Sequence, residues 1–285
     1  MRDPAGSGVR VGQNHAVPAD WGWPESDEEL AELQCRLADA AVRVLVADPF
    51  LLSSDRPILG GCFVAYARGI AGPGRTGDRA WAAAVAWQRN DADRGKRKTD
   101  HHLKSAVTPG RPRQADDVLA QSIVVSRAPS PYVPGLLACR EGPVLACALA
   151  SLEVRPQVLL VDASGIDHPR GAGLAVQLGA VVDLPTVGVT RRPLVAAGGE
   201  PELRRGSVAP LAVDGRCVAF WVCTRTGARP IVAHAGWRTS PETAVRIVLD
   251  ASTPGARTPV PIQEARRVAH EARSLGLSSA PAAGE

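Results

Sequence analysis

Four residues near the middle of the chain could do chemistry together: Tyr132, Glu141, Asp162 and His168. Asp162 closes the apolar run 158–161 and is followed closely by Gly165, His168 and Pro169. Ligands of α/β sheets gather at the carboxyl ends of strands, so a carboxylate there is a candidate metal ligand. Asp is also common in βα turns, and a polar stop to a buried strand is the plain alternative. Glu141 precedes Gly142 and Pro143. Proline belongs in the first turn of a helix, which places Glu141 at a helix N-terminus. A carboxylate gains about 0.3–1 kcal/mol there, a purely local role. If the helix instead packs back on the strand ending at Asp162, two carboxylates meet at one sheet edge. Mg2+ binds through one or two carboxylates and completes its octahedron with water and phosphate oxygens. His168 fits either a surface loop or a site that positions a leaving oxygen. Tyr132, within 131-PYVPG-135, is either packed or a stiffly held ring of the kind that wedges or stacks bases.

The elements that must position these groups follow from the hydrophobic pattern. A helix is expected over 26–44, with Ser26 as cap, three acidic residues in its first turn, and Leu30, Leu33 and Leu37 as its apolar stripe. Strand-like runs at 58–68, 80–89 and 117–126 suggest an antiparallel meander. A helix over 142–152 leads to a strand at 157–162, and a second helix at 171–182 leads to a strand at 185–190. Such crossovers imply parallel strands buried on both faces. A hairpin over 206–225 turns at Asp214-Gly215 and is followed by a strand in IVAHAGW. Ser240 caps the next helix, with Pro241 at its first position. A last helix, at about 262–274, reads as peripheral. The fold class is α/β, a mixed sheet of meander and parallel strands flanked by helices. Residues 1–22 read as a disordered tail, 23–252 as the main domain, and 253–285 as a C-terminal helix and tail.

Composition narrows the class further. Of the 285 residues, 45% are hydrophobic and 22% charged, which is ordinary globular usage. No run approaches the roughly 20 apolar residues of a membrane helix, and the N-terminus lacks the apolar stretch of a signal peptide. A cytoplasmic protein without a membrane partner is the expectation. Six cysteines sit mostly in apolar segments, without metal-binding spacing, and read as reduced buried thiols. The segment from Arg89 to Arg113 carries a local +5 against +4 for the whole chain. It reads as a basic loop inserted at 89–116. One reading is a solvated loop without a ligand, and the other is attraction to a phosphate backbone.

Taken together, the stretches 131-PYVPGLLACRE-141, 159-LLVDASGIDHPR-170, 178-LGAVVDLPTVGVT-190 and 240-SPETAVRIV-248 resemble the endonuclease V family, with a weaker match at 34-QCRLA-38. The resemblance implies a ribonuclease H-like fold. It also implies Mg2+-dependent cleavage, with Mn2+ able to substitute, at the second phosphodiester 3′ to deoxyinosine in DNA, leaving a 3′-hydroxyl and a 5′-phosphate. Inosine in RNA is an alternative substrate, and the family pattern suggests a monomer. Carried over by motif, Asp162 matches a metal-binding aspartate and Glu141 a catalytic glutamate. Tyr132 matches the residue that wedges the duplex, Gly135 and Gly165 match glycines near the flipped base, and His168 matches an active-site loop histidine.

The sequence also departs from that pattern. The first strand of the family ends in a motif whose aspartate ligates metal; the matching position in 61-GCFVAY-66 is Phe63. A lysine is replaced by Arg191, a late histidine by Trp237, and a glycine by Ala163. Asp78, in the glycine-rich turn 72–78, and His234 are the candidates to compensate. The rival function is therefore a catalytically impaired member that binds deaminated or branched nucleic acid.

Overall fold

A computed structural model describes residues 10–11, 21–24, 26–44, 56–69, 72–89 and 117–278. Apart from Arg89, the expected basic loop lies outside the described residues, as does most of each expected tail. In chain order the elements are β1 (Arg10–Val11), α1 (Asp27–Val44), β2 (Leu59–Tyr66), β3 (Arg79–Trp87), β4 (Val118–Arg127), α2 (Leu137–Ala150) and β5 (Val158–Val161). They continue with α3 (Leu174–Val182), β6 (Thr186–Thr190), β7 (Val208–Val213), β8 (Arg216–Val222), β9 (Ile231–Ala235), α4 (Pro241–Asp250) and α5 (Val260–Ser274).

The strands form one mixed sheet in the order β1-β4-β3-β2-β5-β6-β9-β8-β7. The antiparallel meander β2-β3-β4 joins the parallel pair β5 and β6 through β2, and β9 returns antiparallel on β6. This is the mixed architecture expected from the sequence. β5 is buried along its whole length, as a central parallel strand must be. The β7–β8 hairpin turns at Asp214 and Gly215, both at positive φ (48° and 76°), the geometry that matches the twist of the strands it joins. Helices α2 and α3 cover one face of the sheet, and α1 packs outside α3. Helices α4 and α5 cover the other face.

Local capping rules hold at α1 and α4. Ser26 Oγ accepts from the Glu29 amide at 3.1 Å, and Ser240 Oγ accepts from the Thr243 amide at 3.1 Å. They fail at α2. That helix begins at Leu137, not Gly142, so Glu141 lies in its second turn and Pro143 lies inside it. An internal proline costs the helix a hydrogen bond. The extra N-terminal turn is held by burial: Ala138, Cys139 and Arg140 are all buried, and Leu136, Leu137 and Trp23 pack on the same core. Tertiary contacts outweigh the local proline rule.

The second correction concerns α5, which is not peripheral. It buries Ile262, Ala265, Val268, Ala269 and Ala272 against the sheet. The approach is close because β2 offers Gly61 there: a Cβ at that position would lie 2.2 Å from the Pro261 backbone. The chain beyond α5 is also tied down, since the Leu277 carbonyl accepts from Arg79 Nη2 (2.8 Å) and Trp81 Nε1 (3.0 Å). At the other end, Arg10 and Val11 pair parallel with Ser122 and Ile123. Trp21 stands edge-on to Trp237 with ring centroids 6.0 Å apart.

Candidate active site

The parallel register of β2 and β5 decides what sits at their carboxyl edge. Cys62 is opposite Val161, so the next residues, Phe63 and Asp162, are neighbours just beyond the last pair. Strand alternation sends Cys62 and Val161 into the α2 side of the core. It sends Phe63 to the α5 side. Asp162 is at the strand end, with its side chain 35% exposed. It does not stand free: Arg266 of α5 places Nη2 2.6 Å from Asp162 Oδ2. The same guanidinium carbon lies 4.9 Å from the centre of the Phe63 ring. One helical turn further along α5, His270 meets Phe63 edge-on at 5.4 Å. A partly exposed ion pair and a cation–π contact together contribute about 1–2 kcal/mol.

Glu141 approaches the same edge from the opposite face. Burial, and then the charge of Asp162, push its carboxyl up to about 7, with Arg140 pulling the other way. The Cys62 thiol is pushed up by burial and then by Glu141 and Asp162, so it stays neutral. The Tyr66 hydroxyl is raised by burial and then by Glu141, and its oxygen is buried without a hydrogen-bond partner. Two carboxylates therefore share one partly dry site, the condition that raises a carboxyl pKa most strongly.

Asp78 does not join them. Its carboxylate accepts from the Arg75 amide at 2.6 Å and from Arg140 Nη2 at 2.7 Å. These two bonds, the amide first, hold its pKa below the usual carboxylate value. Arg140 also donates to the Arg75 and Ser130 carbonyls (3.0 and 2.8 Å) and stacks over Tyr66 at 4.2 Å. Asp78 thus anchors the arginine that ties the 74–78 turn to the loop carrying Tyr132. The Tyr132 amide reaches the Gly74 carbonyl at 3.3 Å, and its side chain is left 41% exposed.

Gly135, at φ 81°, ends this loop. Its carbonyl accepts from Arg170 Nη2 (3.0 Å) and Gln34 Nε2 (3.3 Å), while Arg170 Nε donates to Gln34 Oε1 at 2.6 Å. His168 makes the third contact, Nε2 to the same carbonyl at 3.1 Å. The Arg170 amide donates to His168 Nδ1 at 3.2 Å, so the proton is on Nε2 and the ring donates to Gly135. His168 is only 6% exposed, and burial is the first cause that lowers its pKa and keeps it neutral. The contacts of His168 are thus with the Tyr132 loop and not with the carboxylate pair. Gly165 serves packing: a Cβ there would lie 1.9 Å from the Ala235 carbonyl oxygen.

His234 is fully buried and cannot replace a missing ligand. Its Nε2 lies 2.7 Å from Thr190 Oγ1 and its Nδ1 lies 3.4 Å from Asp167 Oδ2. Burial lowers its pKa. Asp167 is also fully buried and accepts from the amides of Leu194, Val195 and Ala196, each at 2.8 Å. It organises the loop after β6, where Arg191 is exposed. Arg191, with Arg225 and Arg229, adds to burial in lowering the Arg257 pKa, which marks a cluster of positive charge beside that loop. Among the described residues, no three His, Cys, Asp or Glu side chains form a metal-binding group.

Arg266 and His270 are not legible in the sequence as neighbours of this edge, because α5 reads there as peripheral. Their spacing of four, on a helix whose Ile262, Ala265 and Ala269 mark a buried stripe, was the available signal. Gln34 and Arg170 lay within motifs that were noticed, but nothing in their types revealed that both point at one carbonyl.

A sequence model of the family described as Endonuclease V matches residues 91–267 of this chain. The chain belongs to the endonuclease V family. Endonuclease V from Dictyoglomus thermophilum is 36% identical over 154 residues, which are 54% of this chain and 65% of that protein. The chain spans 58–65% of the length of the first curated relatives it matches. The crystal structure of the Streptomyces avermitilis endonuclease V superposes with a TM-score of 0.67 at 28% identity, covering 90% of this chain and 97% of that one. A Ciona intestinalis endonuclease V, solved with DNA containing an inosine, shares the fold at 20% identity and a TM-score of 0.63, over 88% of this chain and all of that one. The ribonuclease H-like architecture expected from the sequence is thereby shown. No helix among the described residues is long and apolar enough to cross a membrane.

Proposed function

We propose that this endonuclease V family member hydrolyses a phosphodiester of inosine-containing DNA, with Mg2+ or Mn2+, at the second bond 3′ to the inosine. The observation that carries this reading is the placing of Glu141 and Asp162 at one sheet edge, where burial first and the charge of Asp162 second raise the Glu141 pKa. Two carboxylates that repel one another at a strand end form a donor set suited to a hard divalent cation. The set fits in number, because Mg2+ uses one or two carboxylates. Arg266 would first have to leave Asp162. Asp162 and Glu141 would then hold the ion, and the ion would supply positive charge to stabilise the phosphate as the bond breaks.

The chain's own groups divide the remaining work. Tyr132, exposed on a loop held by Arg140, Gln34, His168 and Arg170, fits the wedge that enters a duplex where a base leaves the stack. A mispaired inosine costs less to extrude than a paired base. Glu141, the second carboxylate at the edge, is suited to meet the ion through water or to orient the attacking water. Arg191 adds positive charge for the phosphate backbone. Inosine in RNA remains a substrate to compare, because a flipped base is read by its edge and stacking rather than by its sugar.

The test is cleavage of inosine-containing duplexes, DNA and RNA, in Mg2+ and Mn2+ by wild type, Asp162→Ala and Glu141→Gln. Loss of cutting in both variants is expected. A second reading, an inosine binder without turnover, is favoured by Phe63 and by the Arg266 ion pair on Asp162. Tight wild-type binding to inosine duplex with no cutting in either metal would establish it and sink the nuclease reading.

A further inference from the structure

Arg266 occupies a seat built from several independent pieces. Its Nη2 is 2.6 Å from Asp162 Oδ2, and its guanidinium stacks on the ring of Phe63 at 4.9 Å. His270, one turn along the same helix, meets that ring edge-on at 5.4 Å. The helix itself is drawn onto β2 where Gly61 leaves room for the Pro261 backbone, so the start of α5 is fixed one turn before Arg266. Phe63 supplies the flat face where a carboxylate would give a cation a second ligand. A guanidinium does not lose its proton in any accessible pH range, so raising the pH cannot empty this seat. A guanidinium and a divalent ion on the same carboxylate repel one another at a separation of about 4 Å, so each weakens the other's hold on Asp162.

We infer that Arg266 is a built-in cation that holds the Asp162 carboxylate in place of a divalent metal, and that metal binds only when Arg266 swings off Asp162 and Phe63. This rests on the metal-assisted reading above and adds a competitor to it. The Arg266 side chain is 30% exposed, and its Nε is buried without a hydrogen-bond partner, so the seat satisfies only part of the guanidinium. The anion suited to draw the guanidinium away is a phosphate of bound nucleic acid, which takes the same planar, two-point hydrogen bonding as a carboxylate.

Mn2+ binding to the full-length protein, read as loss of the free-ion electron paramagnetic resonance signal, tests this without any cleavage. Wild type, R266A, R266Q, D162N, D162N/R266A and F63D/R266A would be compared, with circular dichroism melts to show that each is folded. R266A and R266Q are expected to bind Mn2+ at least about tenfold more tightly than wild type, a difference of about 1.4 kcal/mol. The gain should vanish when D162N is added to R266A. Equal Mn2+ affinity in wild type and R266A, both lost on D162N, would overturn the competition while leaving the metal site intact. No Mn2+ binding in wild type, R266A or F63D/R266A would overturn it together with the metal-assisted reading. Because R266Q removes the charge but keeps most of the side chain, a folding defect in R266A alone does not blunt the result.

Discussion

The loop that carries Tyr132 and the edge that carries Asp162 and Glu141 are built on opposite principles. Around the loop, the polar groups have partners. The Gly135 carbonyl takes Gln34, His168 and Arg170, and Arg140 bridges Asp78, Arg75 and Ser130. At the carboxylate edge the balance is poor. Glu141 is pushed up to about 7, the Tyr66 hydroxyl has no partner, and Asp162 is held by a residue from a distant helix. A buried network with its bonds satisfied is rigid and has one geometry. An unbalanced pair of carboxylates is costly and is kept where chemistry or ion binding uses it. On the function proposed above, the loop would be the preassembled part that recognises the base, and the edge the part that rearranges before a bond breaks.

The largest effect should come from Asp162. If the edge does chemistry, Asp162→Ala lowers cleavage of an inosine duplex by at least about 1,000-fold while binding without metal stays within about threefold. Single-turnover cleavage and binding in chelator measure the two separately. Similar losses in both would mean that the edge and the loop are not separable.

Next is the stability linked to Glu141. Its folded pKa is raised, so its contribution to stability is complete below the ordinary value of 4.5 and is lost as pH rises through about 7. Glu141→Gln should therefore gain on wild type as pH increases from 5 to 8.5, by at most about 3 kcal/mol. Urea midpoints at the two pH values test this, and a pH-independent difference would show that the edge is not under strain.

The clamp should give a smaller, different signature. His168→Ala or Gln34→Ala removes one donor from the Gly135 carbonyl, a loss of about 1–1.5 kcal/mol, hence about tenfold weaker binding to inosine duplex. The cleavage rate of bound substrate should be unchanged. A His168→Ala variant that binds normally but cuts slowly would place this ring with the carboxylates instead. The smallest effect belongs to Arg191: Arg191→Ala should weaken binding a few-fold irrespective of base and reduce the salt slope by about 1.

Much of this architecture was open to a reader of the sequence. Apolar, strand-like runs separated by turn-rich segments marked β2, β3 and β4, and the apolar run before Asp162 marked β5, because burial on both faces leaves no position for a polar side chain. Ser240 and Pro241 announced α4 through bonds that reach only three residues. The start of α2 was misplaced for the converse reason: proline chemistry is local, whereas Leu136, Leu137 and Trp23 share a core that only the folded chain assembles. Motif spacing brought Glu141 and Asp162 forward as partners, yet it could not show that Asp78 faces Arg140 or that His234 is sealed inside.

The sequence by itself determined the order of elements from α1 to α5, the mixed sheet, the family and the two carboxylates at its edge, but not β1, which lies inside the expected tail. These follow from side-chain periodicity and from short motifs whose spacing is covalent. Tertiary structure alone decided which cation Asp162 meets. Arg266 is 104 residues from it in the chain, and only the packing of α5 on Gly61 and Phe63 brings the two charges within 2.6 Å. An ion pair depends on distance in space, and no local pattern encodes that distance.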